Sequence, residues 1–194
     1  MILILAHPYT GSSLVTKIFH AHGAWIGETD QEKRFNYQNY ENFKLREVIK
    51  KIKGGKLPGK ILNPESEQLE AIEKAILDIK PQGLLCFKVL VDYYKLFLQF
   101  NPKIILVRRN EDQTIKSAIA KNNRTTKEEI EKAYYKRLMT MGFIELNYGG
   151  KWVDVDQLIA GNYTLIKEAI EYCGLAFDEQ VTESCIDKNK WNTR

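Results

Sequence analysis

The residues best suited to chemistry lie directly after the first hydrophobic segment of the chain. They are Thr10, Gly11, Ser12 and Ser13. A strand-like apolar run, residues 1–6, precedes them, and a helical pattern over residues 12–22 follows. A strand that turns sharply through small residues into a helix directs several backbone N–H groups at one point, and the helix dipole adds partial positive charge. The segment therefore predicts a cradle for a phosphate or a similar anion.

The loop differs from the phosphate-binding loop of nucleoside triphosphatases, whose pattern is G-x-x-x-x-G-K-[ST]. Aligned on residues 6–13, the chain keeps the second glycine as Gly11 and the final hydroxyl as Ser13. Ala6 replaces the first glycine, and Ser12 replaces the lysine that contacts the β- and γ-phosphates in those enzymes. The loss of that lysine disfavours ATP or GTP hydrolysis.

The same loop, taken with the residues that follow it, resembles the sulfotransferase family. Residues 8–14 are similar to the family pattern Pro-[Lys/Arg]-Ser-Gly-Thr-[Ser/Thr], and residues 23–28 are similar to the turn after its first helix. In that family the loop binds the 5′-phosphosulfate of 3′-phosphoadenosine 5′-phosphosulfate (PAPS). The resemblance implies that Tyr9 and the four loop residues bind PAPS as a co-substrate, and that no metal is needed.

A second match lies later in the chain, where Arg109 ends an apolar run and Ser117 follows eight residues on. These two resemble the strand-end arginine and the serine that hold the 3′-phosphate in the family. An arginine at the carboxyl end of a parallel strand, and a serine one to two turns into the next helix, reach the same sheet edge as the loop. The spacing to Ser117 selects Arg109 rather than Arg108 as the ligand.

Two weaker matches extend the resemblance over nearly the whole chain. Lys88 follows an apolar run and resembles the family's lysine after a middle strand, and residues 152–158 resemble its late strand and turn. A lysine that extends from a strand end into solvent would give the same pattern. Lys88 therefore stays open between a site role and a surface role.

The main departure from the family is Tyr9, which stands where sulfotransferases carry lysine or arginine. A phenol is neutral near pH 7, so part of the charge stabilisation must come from another residue, such as His7, Lys17 or Lys88. We predict Lys88 and His7 as catalytic residues. By residue type, the candidates for the general base that activates the acceptor are His7, His20, His22, Glu28 and Asp92.

Hydrophobic periodicity places these residues on an α/β framework. The predicted strands are residues 1–6, 83–89, 103–107 and 152–155. Helical patterns separate them: residues 63–64 predict the start of one helix with Leu77 on its inward face, and Thr126 with Glu129 predicts a capping box for a longer one. We expect a three-layer α/β sandwich around a mostly parallel sheet of the P-loop type.

Composition limits the class of protein. A chain of 194 residues, 44% hydrophobic and 28% charged, is near the size of one domain, so we predict a single domain over residues 1–194. The net charge of +4 favours an anionic ligand without implying nucleic acid. No window is long and apolar enough to cross a bilayer. The three cysteines lack metal-ligand spacing, and we expect them to be reduced in a cytoplasmic protein.

These patterns together predict a PAPS-dependent sulfotransferase that acts on a hydroxyl or amine of a small-molecule or carbohydrate acceptor. The aromatic and basic stretch of residues 35–60 is where the family forms its acceptor pocket, although a solvated lysine face explains that stretch equally well. Two alternatives remain: a catalytically weak module that binds PAPS or its product, and a small ATP-dependent P-loop kinase.

Overall fold

Four parallel strands form the centre of the molecule. The structure, a computed structural model, describes residues 1–27, 42–52, 63–121 and 125–187. The strands within these ranges are β1 (Ile2–Ala6), β2 (Cys86–Leu90), β3 (Lys103–Arg108) and β4 (Lys151–Asp154). Their order across the sheet is β2-β1-β3-β4, and every neighbouring pair is parallel. The predicted α/β class and parallel sheet are confirmed.

Helices connect the strands, as a parallel sheet requires. They are α1 (Ser12–Ala21), α2 (Phe43–Ile52), α3 (Ser66–Ile79), α4 (Glu111–Lys121), α5 (Lys127–Tyr148), α6 (Val155–Ile159), α7 (Thr164–Tyr172) and α8 (Glu179–Cys185), with two short 3-10 helices at Val91–Leu96 and Leu98–Phe100. In the described part of the chain, no helix is long and apolar enough to cross a membrane.

The core has two halves, one on each face of the sheet. Alternate residues of a strand point to opposite faces, so Ile4 packs with Phe19 of α1 and Ile170 of α7. Leu5, the next residue, packs on the other face with Ile72 of α3. Helices thus cover both faces, giving three layers, and this explains why every residue of β1 is buried and apolar.

Three local predictions about the helices have different outcomes. The capping box at the start of α5 is confirmed, since Thr126 and Glu129 exchange hydrogen bonds. The start predicted for α3 at residues 63–64 is wrong, because the cap is Glu65. The inward position of Leu77 is wrong too: its side chain is 68% exposed. Ile72 sets the buried face of α3, and a residue five positions later lies about 140° away from it.

The three cysteines are free and buried. Cys86 lies inside the sheet, where burial raises the pKa of its thiol. Burial likewise raises the pKa of Cys173 to about 12. A buried thiol that stays protonated behaves as a small apolar side chain, so these residues belong to the core.

The strand register brings three chain segments to one edge of the sheet. Ala6, the last residue of β1, is level with Leu90 of β2 and Val107 of β3. The segments that follow these residues therefore leave the sheet side by side at its carboxyl edge, which is where open parallel sheets bind ligands.

Candidate anion site at the carboxyl edge of the sheet

The loop between β1 and α1 turns through two residues with left-handed backbone. Tyr9 has φ 70° and Gly11 has φ 83°, and Gly11 is the N-cap of α1. Thr10 between them is buried, and its hydroxyl donates a hydrogen bond to the carbonyl of His7 at 2.8 Å. The sharp strand-to-helix turn predicted from the small residues is present at this point.

The α1 helix begins at a glycine, so its N-cap residue makes no side-chain hydrogen bond to the helix. Gly11 provides no side-chain cap, and the first turn holds no acidic residue. By contrast, the Asp178 carboxylate accepts a bond from Val181 N–H at the start of α8. The N–H groups in the first turn of a helix have no carbonyl partner within that helix. The start of α1 is thus an electropositive position suited to an anion.

Lys88 reaches this helix end from the neighbouring strand. It is level with Ile4 and so lies on the face of the sheet that α1 covers. Its ammonium donates a hydrogen bond to the Ser13 hydroxyl at 3.0 Å. The structure therefore places Lys88 beside the loop, and its catalytic role stays a prediction. Its ammonium adds positive charge beside the positive end of the helix dipole.

His7 occupies the base of the loop and is buried. Its Nδ1 lies 2.6 Å from the carbonyl oxygen of Pro8, which can only accept, so Nδ1 carries the proton and Nε2 keeps its lone pair. Burial, and then the nearby Arg137 guanidinium, lower the pKa of His7 to about 4. The ring is neutral near pH 7 and packs edge-on against Tyr134, with centroids 5.4 Å apart.

Sequence reasoning missed the contribution of α5 to this edge. Arg137 pairs with Asp92, its Nε 2.7 Å from a carboxylate oxygen, and both side chains are largely buried. Tyr134, one turn earlier on α5, contacts His7. Asp92, a candidate general base by type, is therefore held by an arginine. The only sequence signal was that positions 134 and 137 share a helix face, and this does not identify a partner.

Arg108, the last residue of β3, and Arg109 after it pair with Asp154 at the end of β4 and Asp156 in α6. Arg108 Nε lies 3.0 Å from Asp154, and Arg109 Nε lies 3.4 Å from Asp156. The Arg109 side chain is only 7% exposed. Arg109 is at the predicted edge, but part of its charge is offset by Asp156, a partner that the sequence did not indicate.

The side chain of Tyr9 packs against helices α4 and α5. It lies against a small cluster formed by Ile115 and Ala118 of α4 and Ile130 of α5. The ammonium of Lys121, the last residue of α4, is 5.3 Å from the centroid of the Tyr9 ring. Ser117 is half-buried on the same helix, one turn before Lys121. The loop is thereby attached to α4.

Three other candidates lie elsewhere. Lys17 donates to the carbonyl of Cys185 at 3.0 Å and so serves the contact between α1 and α8. Nδ1 of His20 bonds the carbonyl of Ala24. His22 bonds the backbone at Ile18 and Asp178. His20 and His22 are engaged at the carboxyl end of α1, whereas Lys17 is engaged with the last residue of α8. Residue 28 and most of the predicted acceptor region, residues 35–41 and 53–60, lie outside the described residues.

The arrangement places one lysine beside the amino end of a helix and a buried neutral histidine below it, and this distribution of charge suits an anion. Its positive groups come from three places: the amino end of α1, Lys88, and the arginines after β3. The chain matches no protein-family model, and no curated protein matches it.

Proposed function

We propose that the chain is a PAPS-dependent sulfotransferase of the P-loop type, with residues 10–13 as the site for the 5′ end of the nucleotide. The observation that carries the proposal is the position of Lys88, whose ammonium is 3.0 Å from Ser13 Oγ at the amino end of α1, where the N-cap residue is a glycine. Two positive features placed together in this way are stabilised when an anion binds between them.

The residues at this edge fit the charges of PAPS. The first-turn N–H groups of α1 and the Lys88 ammonium would hold the 5′-phosphosulfate, and Ser13 would orient Lys88. The second charged group, the 3′-phosphate, would lie toward β3 and α4, where Arg109 and Ser117 are found. The Asp156 partner lowers the contribution of Arg109, because part of its charge is already offset.

When bound, PAPS supplies an activated sulfuryl group for transfer to an acceptor hydroxyl or amine. Lys88 and the helix N–H groups would stabilise the negative charge that develops on the departing phosphate oxygen. His7 stays neutral near pH 7 because its pKa is about 4, so it is unprotonated but weakly basic. Its burial beneath the loop favours a role in holding the loop, while the assignment of His7 as the base stays a prediction.

Tyr9 favours a second candidate, a module that binds the nucleotide without efficient turnover. Its ring packs on α4 and α5 instead of adding a positive charge to the loop. The two candidates differ in one measurement, the release of 3′-phosphoadenosine 5′-phosphate (PAP) from PAPS in the presence of phenol, sugar and amine acceptors. Release above the rate without protein supports the enzyme, and tight binding without release supports the module.

The binding proposal is tested by thermal unfolding with PAP and, in parallel, with ATP and Mg²⁺. A ligand present at about 100 times its dissociation constant adds ~2.7 kcal/mol of stability. For a chain of this size that raises Tm by roughly 5–10 °C. We expect a shift with PAP. A shift with ATP and Mg²⁺ alone would contradict the proposal and support the kinase alternative.

Lys88→Ala should weaken PAP binding by about 10-fold, because it removes one charge-assisted hydrogen bond. Lys167→Ala, which removes an exposed lysine from α7, is the matched control and should bind PAP like the wild type. Calorimetric titration measures both dissociation constants. Equal affinities in the two variants would show that Lys88 does not contact the nucleotide.

A further inference from the structure

The outward face of α5 carries a stripe of large apolar side chains. Its members are Tyr135, Met139, Phe143 and Leu146, whose exposed fractions are 48%, 76%, 50% and 86%. Their spacing of four, four and three residues places them on one side of the helix. The other side of α5, which includes Met141, packs against the core. A helix at the surface normally presents polar residues to water, so a helix that is apolar on both sides indicates a surface for another molecule.

The size of the stripe suits an interface between two proteins. Large side chains have an accessible area of about 200 Å² each, so the exposed fractions correspond to roughly 500 Å² of apolar surface. A specific interface buries about 800 Å² on each partner, and in homodimers about 65% of that area is apolar. The stripe therefore supplies the apolar area that one subunit of a stable dimer needs.

A glycine lies within the stripe. Gly142 follows Met139 by three residues and precedes Leu146 by four, so it shares their side of α5. Glycine inside a helix is destabilising relative to alanine. In the described part of the chain, a Cβ added at Gly142 would meet no atom within 4 Å, so packing inside the subunit does not require a glycine here. A glycine on the surface of a helix lets another backbone or a large side chain approach closely.

The charges on α5 favour a second copy of the chain that runs antiparallel. The last turn of α5 contains no basic residue, so no lysine or arginine of that turn offsets the negative end of the helix dipole. An antiparallel pair with Tyr135 of one copy beside Leu146 of the other sets the exposed Lys132 beside the carboxyl end of the other helix. The same register sets Met139 beside Gly142, where the glycine leaves space for it. A two-fold axis makes each of these contacts twice.

We propose that the chain forms a two-fold symmetric dimer through the stripe on α5, with the two helices antiparallel. The stripe is the same surface on both copies, as a two-fold interface requires. The core-facing side of α5 covers the His7 ring with Tyr134 and pairs Arg137 with Asp92. The dimer would therefore hold in place the helix that lies beneath the anion loop.

Sedimentation equilibrium tests the dimer. Wild type at micromolar concentration should have twice the 22.5 kDa mass of one chain. Leu146→Glu should weaken dimerisation by about 100-fold, because it buries a charge in the apolar interface, and should leave the circular dichroism spectrum unchanged. Leu77→Glu is the matched control: it makes the same change at an exposed leucine of α3 and should stay dimeric. Gly142→Ala should weaken dimerisation by about 10-fold, because its methyl group fills the space that Met139 needs, although alanine is the better helix former.

Disulfide formation tests the antiparallel arrangement. The three native cysteines are buried, so Tyr135→Cys and Leu146→Cys each add an exposed thiol. In the proposed register position 135 of one copy lies beside position 146 of the other, whereas identical positions are roughly 15 Å or more apart along the helix, beyond the reach of a disulfide. Air oxidation should therefore link a mixture of the two variants and neither variant alone. Links within each variant alone would contradict the antiparallel pair. A wild type that stays monomeric, or a dimer that survives Leu146→Glu, would overturn the proposal.

Discussion

Gly11→Ala should weaken PAP binding by about 100-fold, the largest effect on binding that we expect from a single methyl group. Gly11 is the N-cap of α1 at φ 83°, where a side chain is strained by about 1–2 kcal/mol. Relief of that strain rotates the peptide units around Gly11 and changes the direction of the first N–H groups of the helix. Loss of two or three well-aligned hydrogen bonds to an anion accounts for a 100-fold change, which is about 2.7 kcal/mol.

Gly161→Ala is the control that separates the loss of PAP binding from the loss of stability that backbone strain alone causes. Gly161 follows α6 with φ 88°, and an added Cβ would meet no atom within 4 Å. Both variants should lose about 1–2 kcal/mol of stability, measured as the free energy of unfolding in urea, but the Gly161 variant should bind PAP like the wild type. If both variants kept full affinity for PAP, the loop would not be the anion site.

The sheet was predictable because its strands are buried on both faces. A strand covered by helices on each side must be apolar at every position, so the run before Ala6 and the run before Arg108 are visible without structural information. The loop was predictable for a related reason. A glycine is favoured where φ is positive, as at Gly11, so the small residues around it indicated the turn from β1 into α1, although Tyr9 also adopts a positive φ there.

The pairing of charged residues was not predictable. Arg109 with Asp156, and Arg137 with Asp92, are separated by more than forty positions in the chain, and only the packing of α5 and α6 brings them together. The role of Tyr9 depends equally on tertiary structure. Its position in the motif indicated a missing charge, but the contact with Lys121 requires α4 to lie beside the loop.

Beneath the loop, His7 lies beside α5, the helix that carries Arg137 and its ion pair with Asp92. Pro8 and Asp92 each lie two residues beyond paired strand ends, so they leave the sheet at the same level. Arg137 pairs with Asp92, while Tyr134 covers the His7 ring. The base of the anion loop is thus held by α5, a helix that carries none of the predicted site residues, and its stability should depend on the charge of His7.

His7 should make the folded protein sensitive to mild acid. Its pKa is about 4 in the folded state and 6.5 in the unfolded chain. Between these values the unfolded state binds a proton that the folded state does not, so stability decreases as pH falls from about 6.5 to about 4, and it is fully present above that range. The difference in pKa corresponds to about 3 kcal/mol. Urea unfolding at several pH values should show this loss in wild type and a smaller loss in His7→Gln.

The direction in which the pKa of His7 changes in variants of Arg137 and Asp92 identifies what lowers it. Arg137 lowers the pKa of His7 and Asp92 raises it, although burial is the largest effect. The double variant Arg137→Met with Asp92→Asn removes both charges without leaving one unpaired, and the pKa of His7 should stay low because the ring is still buried. Arg137→Met alone should raise it, and NMR titration of the imidazole measures both. A His7 pKa near 6.5 in the wild type, or an unchanged pH dependence in His7→Gln, would mean that the ring is hydrated and that α5 does not seal the base of the loop.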